Sequence, residues 1–335
     1  MSIFSLDDLA QSYMLQRRGL ELKNEMSRLN AELTSGQISD VKSVLAGNFS
    51  YFSDIENDLK TLEGFKIATR EATQFADASQ IALGRVHDTA SALGNKALTG
   101  ASIAVGPVLD QIILDAEGDL DTVISALNTS QGGRSLFSGT ATDMAAIVDT
   151  DTLLSNLRNA TSGATSPDAL IAAANAWFDD PAGFAATSYL GSNDPLSAFR
   201  LSNTETVGVS ITANDTALRN LLRSVAVTAI VSDVAYGFGD AEKRAALAAM
   251  GEDLLQNQAE LTALRADVGS AQARIETIAT RNAAEESSLG FAKGALLNAD
   301  PYETATRLED VQFKLQSLYT VTARMSDLSL VNFIR

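Results

Sequence analysis

From residue 62 onward, apolar and small side chains return at alternating spacings of three and four: Leu62, Phe65, Thr69, Ala72, Ala76, Ser79, Leu83, Val86, Ala90, Leu93 and Ala97. This is the pattern of a helix that lays one stripe along a partner helix. It persists for about five heptads, which predicts a single helix about 54 Å long. Many of its members are small, so the facing helix must come close. A second, longer stripe runs through Leu247, Met250, Leu254, Asn257, Leu261, Leu264, Val268, Ala271, Ile275, Ile278, Asn282, Glu285 and Leu289. It predicts one continuous helix ending near Asn298, because Asp300-Pro301 disfavours continuation. The polar members Asn257, Asn282 and Glu285 read as register-setting or end-of-stripe positions.

Two shorter stripes lie near the ends of the sequence. Leu15, Leu22, Met26, Leu29 and Leu33 keep the spacing, with Gly19 in one slot, and Ser35-Gly36 marks a helix stop. Leu308, Val311, Leu315, Leu318, Thr322 and Met325 form the other. Beyond them, Leu328, Leu330, Val331, Phe333 and Ile334 cannot share one face of a helix. A segment apolar on most sides belongs in a packed interior. One partner helix covers one side only, so these ends are expected to be loose in the monomer and to order when several copies pack around them.

The texture changes between Leu136 and Asp215. Turn formers cluster there, Ser166-Pro167-Asp168 reads as a capped helix start, and residues 206–212 alternate at period two as a strand does. Ala198 to Leu201 is its expected partner across a turn at Ser202–Glu205. The fold class that follows is mainly α with a small α+β insert, on a long antiparallel helical coiled-coil rod formed by the N- and C-terminal regions. The expected division has three parts. Residues 1–35 with 302–335 form a terminal helix pair, residues 36–135 with 216–301 a helical rod, and residues 136–215 an outward-facing insert.

Composition narrows the function. The 335 residues carry 25 basic and 42 acidic side chains, a net charge of −17, which disfavours nucleic acid and anionic membranes as partners. Cysteine is absent, which removes disulfides and thiolate metal sites. The sequence MSIFSLDDLAQSYMLQ has no basic n-region, so export without a cleaved signal peptide is expected. Its longest apolar candidate, Ala226 to Phe238, is interrupted by Ser232 and Asp233 and falls short of a membrane span.

No catalytic, cofactor or metal site assembles from the residues. His87 lies inside the first long stripe and reads as a helix-surface histidine. Asp115, Glu117, Asp119 and Asp121 alternate as in a calcium loop, but Leu120 and Ala126 stand where glycine and glutamate are needed, so a solvated helix face is the better account. Gly132-Gly133 and Gly139 bracket Arg134-Ser-Leu-Phe-Ser138 without the lysine of a phosphate loop. They read as a turn between a helix over 106–128 and the insert. Trp177, Phe178 and Phe184 read as the insert's own core.

The segment ETATRLEDVQFKLQSLYTVTARMSDLSLVNFIR resembles the C-terminal segment of the bacterial flagellins and their relatives. GGRSLFSGTATD resembles a stretch of the hook–filament junction branch of that family, and NADPYETATRLEDVQ looks like the family's entry into its last helix. Flagellins commonly carry Arg-Ile-Asn and paired acidic residues after the first helix. TSGQISDVKSVLAGNFS does not, which weakens the case for a major filament flagellin. The resemblance implies a structural, non-enzymatic protein of the extracellular flagellum, exported by the flagellar route. It implies self-assembly into a ring or tube, with flagellin, a neighbouring hook-associated protein and an export chaperone as partners. Filament flagellin is the alternative, followed by a secreted coiled-coil binding module.

Overall fold

The computed structural model describes the backbone of residues 3–40, 49–103 and 106–333, and the side chains of residues 10–40, 49–102 and 106–325. The architecture is mainly α with two small antiparallel sheets. The chain divides into two compact units, residues 1–61 with 284–335 and residues 62–283.

The first unit holds helices α1 (Ile3–Ser35) and α10 (Pro301–Phe333), the start of α2 (Phe49–Ile103) and the end of α9 (Gln258–Leu297). Helix α1 stops where Ser35-Gly36 predicted. Gly36 takes φ 70°, open to glycine without strain, and its N–H donates to the Glu32 carbonyl at 2.8 Å. The exit strand is then stitched to the α9–α10 joint: Ile38 N–H donates to the Leu297 carbonyl and Ala299 N–H to the Gly36 carbonyl. The end of α9 at Leu297 agrees with the stop expected near Asn298. Asp300 caps α10, its Oδ1 accepting from the Tyr302 and Glu303 N–H groups, and Pro301 takes the first helical position.

The second unit is built around the remainder of α2. Of the stripe from Leu62 to Ala97, Phe65 alone is not fully buried. Helix α3 (Pro107–Leu127) follows where a helix over 106–128 was predicted. Next comes a hairpin of β1 (Ser130–Gln131) and β2 (Arg134–Ser135), turned by Gly132 and Gly133 with φ 61° and 80°. Two consecutive positive φ values match the twist of a two-residue hairpin, which explains the Gly-Gly. The following Leu-Phe-Ser-Gly-Thr run is fixed by depth. Phe137 and Ser138 are fully buried, and a side chain on Gly139 would meet the Ser192 carbonyl oxygen at 2.3 Å.

The insert carries α4 (Thr150–Thr161), α5 (Pro167–Asp179) and the single turn α6 (Phe184–Thr187). Ser166 caps α5 as its sequence predicted, accepting from Ala169 N–H at 3.2 Å. Phe178 and Phe184 stack at 5.0 Å and Trp177 meets both edge-on, so these aromatics are the insert's core. Strands β3 (Phe199–Arg200) and β4 (Thr206–Val207) pair across the expected turn. The predicted strand over 206–212 is longer than the ladder observed. Val209 and Ile211 are buried and Gly208 and Ser210 exposed, so the alternation is real, but no second strand faces it.

Helices α7 (Thr216–Ile230) and α8 (Asp240–Gln256) return to the core. The continuous helix predicted from Leu247 to near Asn298 is interrupted: α8 ends at Gln256 and α9 begins at Gln258. The buried stripe nevertheless continues across the break, because residue spacing sets which side chains face inward even where backbone hydrogen bonding lapses.

Two of the polar stripe residues have different fates. Asn282 is buried, and its Nδ2 donates to the Leu201 carbonyl at 2.8 Å, holding the β3–β4 hairpin. Arg281 pairs with Glu205 on the same hairpin, and Phe199 meets the Phe75 ring at 5.8 Å beneath the Arg134 guanidinium. Asn257 has no such partner: its Nδ2 is buried without a hydrogen bond. His87 sits half-buried on α2.

Candidate assembly surface

The terminal pair is the place where the sequence concentrates apolar residues without an evident partner. Helices α1 and α10 pack against each other in the first unit. Leu22, Leu29, Leu308 and Val311 form a small buried cluster, with Met26, Leu315 and Leu318 packed partly against it. Leu15 and Met325 are half-buried and line a groove of about 610 Å³ between the two helices.

The predicted residues are thus brought together with one exception among those described. Leu33 is 40% exposed, and Glu32 occupies the inward slot instead. The Glu32 Oε1 accepts from Arg28 Nη1 at 2.9 Å and from the Ser39 N–H at 2.9 Å. A buried carboxylate is tolerable when its lone pairs are filled this way. Leu328, Leu330, Val331, Phe333 and Ile334 lie outside the residues whose side chains are described.

The pair's outer surface carries residues that a search for one stripe passes over. Tyr13, Met14 and Leu20 on α1, and Phe313, Tyr319 and Val321 on α10, are about half or more exposed. Tyr13 and Leu20 are seven apart and share one side of α1, and Leu20 and Tyr319 also line the open rim of the groove. The signal that could have found them is an apolar residue at an off-stripe position, repeated on both helices. Lys23 reaches over the Tyr319 ring at 5.8 Å, covering a little of this surface. Charged neighbours pair along each helix, as Arg17 does with Glu21 and Lys314 with Asp310, which leaves the apolar residues as the unsatisfied part of the surface.

Among the described residues no three His, Cys, Asp or Glu side chains gather to hold a metal ion, and no helix is long and apolar enough to cross a membrane.

The model of the bacterial flagellin C-terminal helical region matches residues 254–334, which span the end of α8, all of α9 and α10. No curated protein matches the chain. A solved structure from Vibrio parahaemolyticus, provisionally described as a flagellar hook-associated protein, aligns over 75% of this chain and 99% of its own, with 15% identity and a TM-score of 0.49. The matched family model covers the stretch in which the closing residues had suggested the same family. Residues 254–334 are therefore similar to the flagellin C-terminal helical region.

Proposed function

We propose that this chain is a structural subunit of the bacterial flagellum, and within it the hook–filament junction protein, hook-associated protein 3. In this reading residues 1–35 and 302–335 form an inner assembly layer, residues 36–135 and 216–301 the rod, and residues 136–215 the outward insert. Copies join through their terminal helices as a ring or tube, with a neighbouring hook-associated protein on one side and flagellin on the other. The subunit is exported to the cell exterior, and a chaperone covers its apolar ends until it assembles.

The observation that carries this reading is the contrast within one chain. Residues 62–283 bury one large apolar core and leave Ile81, Leu114 and Val234 exposed outside it, whereas the terminal pair buries only Leu22, Leu29, Leu308 and Val311 and leaves Tyr13, Met14, Leu20, Phe313 and Tyr319 in water. Surface of that kind marks a binding face. The flagellin-type C-terminal region supports the family, and the Leu136–Thr140 run supports the junction branch. Filament flagellin remains the second reading, because the matching model describes flagellin's own C-terminal region.

Electron microscopy of a deletion strain separates them, with flagellin assayed in the medium. Loss of a junction protein leaves bare hooks and abundant secreted flagellin. Loss of flagellin leaves bare hooks and none. Normal filaments and normal swimming would remove both readings in favour of a secreted binding module.

A further inference from the structure

The interruption between α8 and α9 is confined to a single residue, Asn257. Neither proline nor glycine causes it, since the sequence there reads Leu254-Leu-Gln-Asn-Gln258. Kinks without those residues need a side chain or water in the backbone ladder. At this one, the Asn257 N–H is shared between the Asp253 and Leu255 carbonyls, and the Gln258 side-chain amide reaches back to the Leu254 carbonyl at 3.4 Å. Two further polar atoms, Asn257 Nδ2 and Gln258 Oε1, are buried with no partner. They sit between Leu254 and Leu261, both fully buried, in a slot where an apolar residue would continue the stripe.

The position in the fold matters as much as the chemistry. Helix α8 packs in a bundle with α3, α5 and α7. Helix α9 instead runs along α2, where Gln272 Nε2 donates to Asp77 Oδ1 at 2.6 Å. The break therefore falls where the chain passes from a multi-helix bundle to the α2–α9 pair, on which the β3–β4 hairpin and residues 208–211 also pack. At the same level α2 carries Gly94, whose missing side chain would stand 3.2 Å from Leu255. Glycine in a helix interior also lowers that helix's resistance to deformation. Just before the break, Gly251 pins α8 by close approach, since a side chain there would meet the Gly94 carbonyl at 3.1 Å.

We infer that Asn257–Gln258 is a hinge at which α9, with the β3–β4 hairpin held on it, bends against the bundle. Unpaired polar groups shielded from water gain by exposure, so opening costs less here than in the flanking turns. The few residues at an element boundary then absorb the change in backbone angle. This inference stands on the fold of residues 62–283 and does not require the flagellar reading.

Two measurements on the full chain test it. Hydrogen exchange should be at least tenfold faster across residues 253–262 than across 264–280. Asn257→Leu, which fills the slot and removes the unpaired amide, should bring the two within about threefold. Because cysteine is absent, spin labels can be placed at the exposed positions Ala245→Cys and Glu276→Cys alone. They span about 46 Å along the helices. Their distance distribution should be broad in the native background and narrow in Asn257→Leu. Asn257→Ala serves if leucine prevents folding, and should narrow it in the same sense. Uniform protection across the break, or a distribution that neither substitution narrows, overturns the hinge.

Discussion

Asp119 shows how far a single carboxylate can depart from the reading its neighbours invite. The run Asp115, Glu117, Asp119, Asp121 lies on α3, as a helix surface, and Asp115 and Asp121 are exposed as expected. Asp119 is half-buried, and its Oδ2 has no hydrogen-bond partner. Burial pushes its carboxyl above the ordinary value of 3.8, with Lys96 opposing the rise and Asp115 adding to it. The folded state therefore holds this proton more tightly than the unfolded chain does. Folding is favoured by that proton below pH 3.8 and loses the contribution as pH climbs through the raised folded value. Asp119→Asn should accordingly raise the melting temperature at pH 7, with the gain shrinking to nothing as pH falls toward 3. Asp110 has the opposite sign, since its hydrogen bonds from Lys243 and Ser232 lower its pKa. Asp110→Asn should cost stability at pH 7 and little at low pH. Thermal melts of both variants across that range check the pair, and parallel curves would refute the assignment. Local sequence could not separate Asp119 from Asp115, because burial on a helix face is set by what packs there and not by the alternation.

Periodicity proved a good guide to which side of an element is buried and a poorer one to its hydrogen bonding. The Leu62–Ala97 stripe and the helix stops at Ser35 and Leu297 were legible, as were the cap at Ser166 and the Phe199–Val207 pairing. The break at Asn257 and the short ladder after Val207 were not, since spacing alone does not report whether a backbone group finds a partner. The two stripe asparagines make the point testable. Asn282 supplies the donor for the buried end of the β3–β4 hairpin, and Asn257 supplies nothing. Asn282→Leu should leave the Leu201 carbonyl unpaired and cost about 1–3 kcal/mol. Asn257→Leu should stabilise. Urea denaturation of the two single variants should give midpoints displaced in opposite directions. Equal displacements would mean that both asparagines act only through their polarity.

For the molecule as a whole, the consequential asymmetry is between a unit with a large buried core and a helix pair that buries only a narrow stripe. The inner stripe of that pair could be read from Leu22, Leu29, Leu308 and Val311, because a stripe is a single-helix pattern. The outer apolar residues could not, because an off-stripe Tyr13 or Phe313 gains meaning only when the partner helix is seen to leave it bare. This separates two kinds of substitution. Leu29→Ala removes a side chain that is 1% exposed and should destabilise the pair by about 2–5 kcal/mol. The triple change Tyr13→Ser, Leu20→Ser and Phe313→Ser removes side chains that the single chain leaves mostly exposed, so its helical circular dichroism and unfolding midpoint should stay close to the parent's. What it should lose is association. Fully burying such a side chain stabilises by about 1.5–3 kcal/mol, so three of them decide whether copies stay together at micromolar concentration. Sedimentation velocity over a concentration series reads this directly. If parent and triple variant both sediment as single chains at every concentration, or associate equally, the outer face is not what holds copies together, and the terminal pair loses its place as the assembly surface.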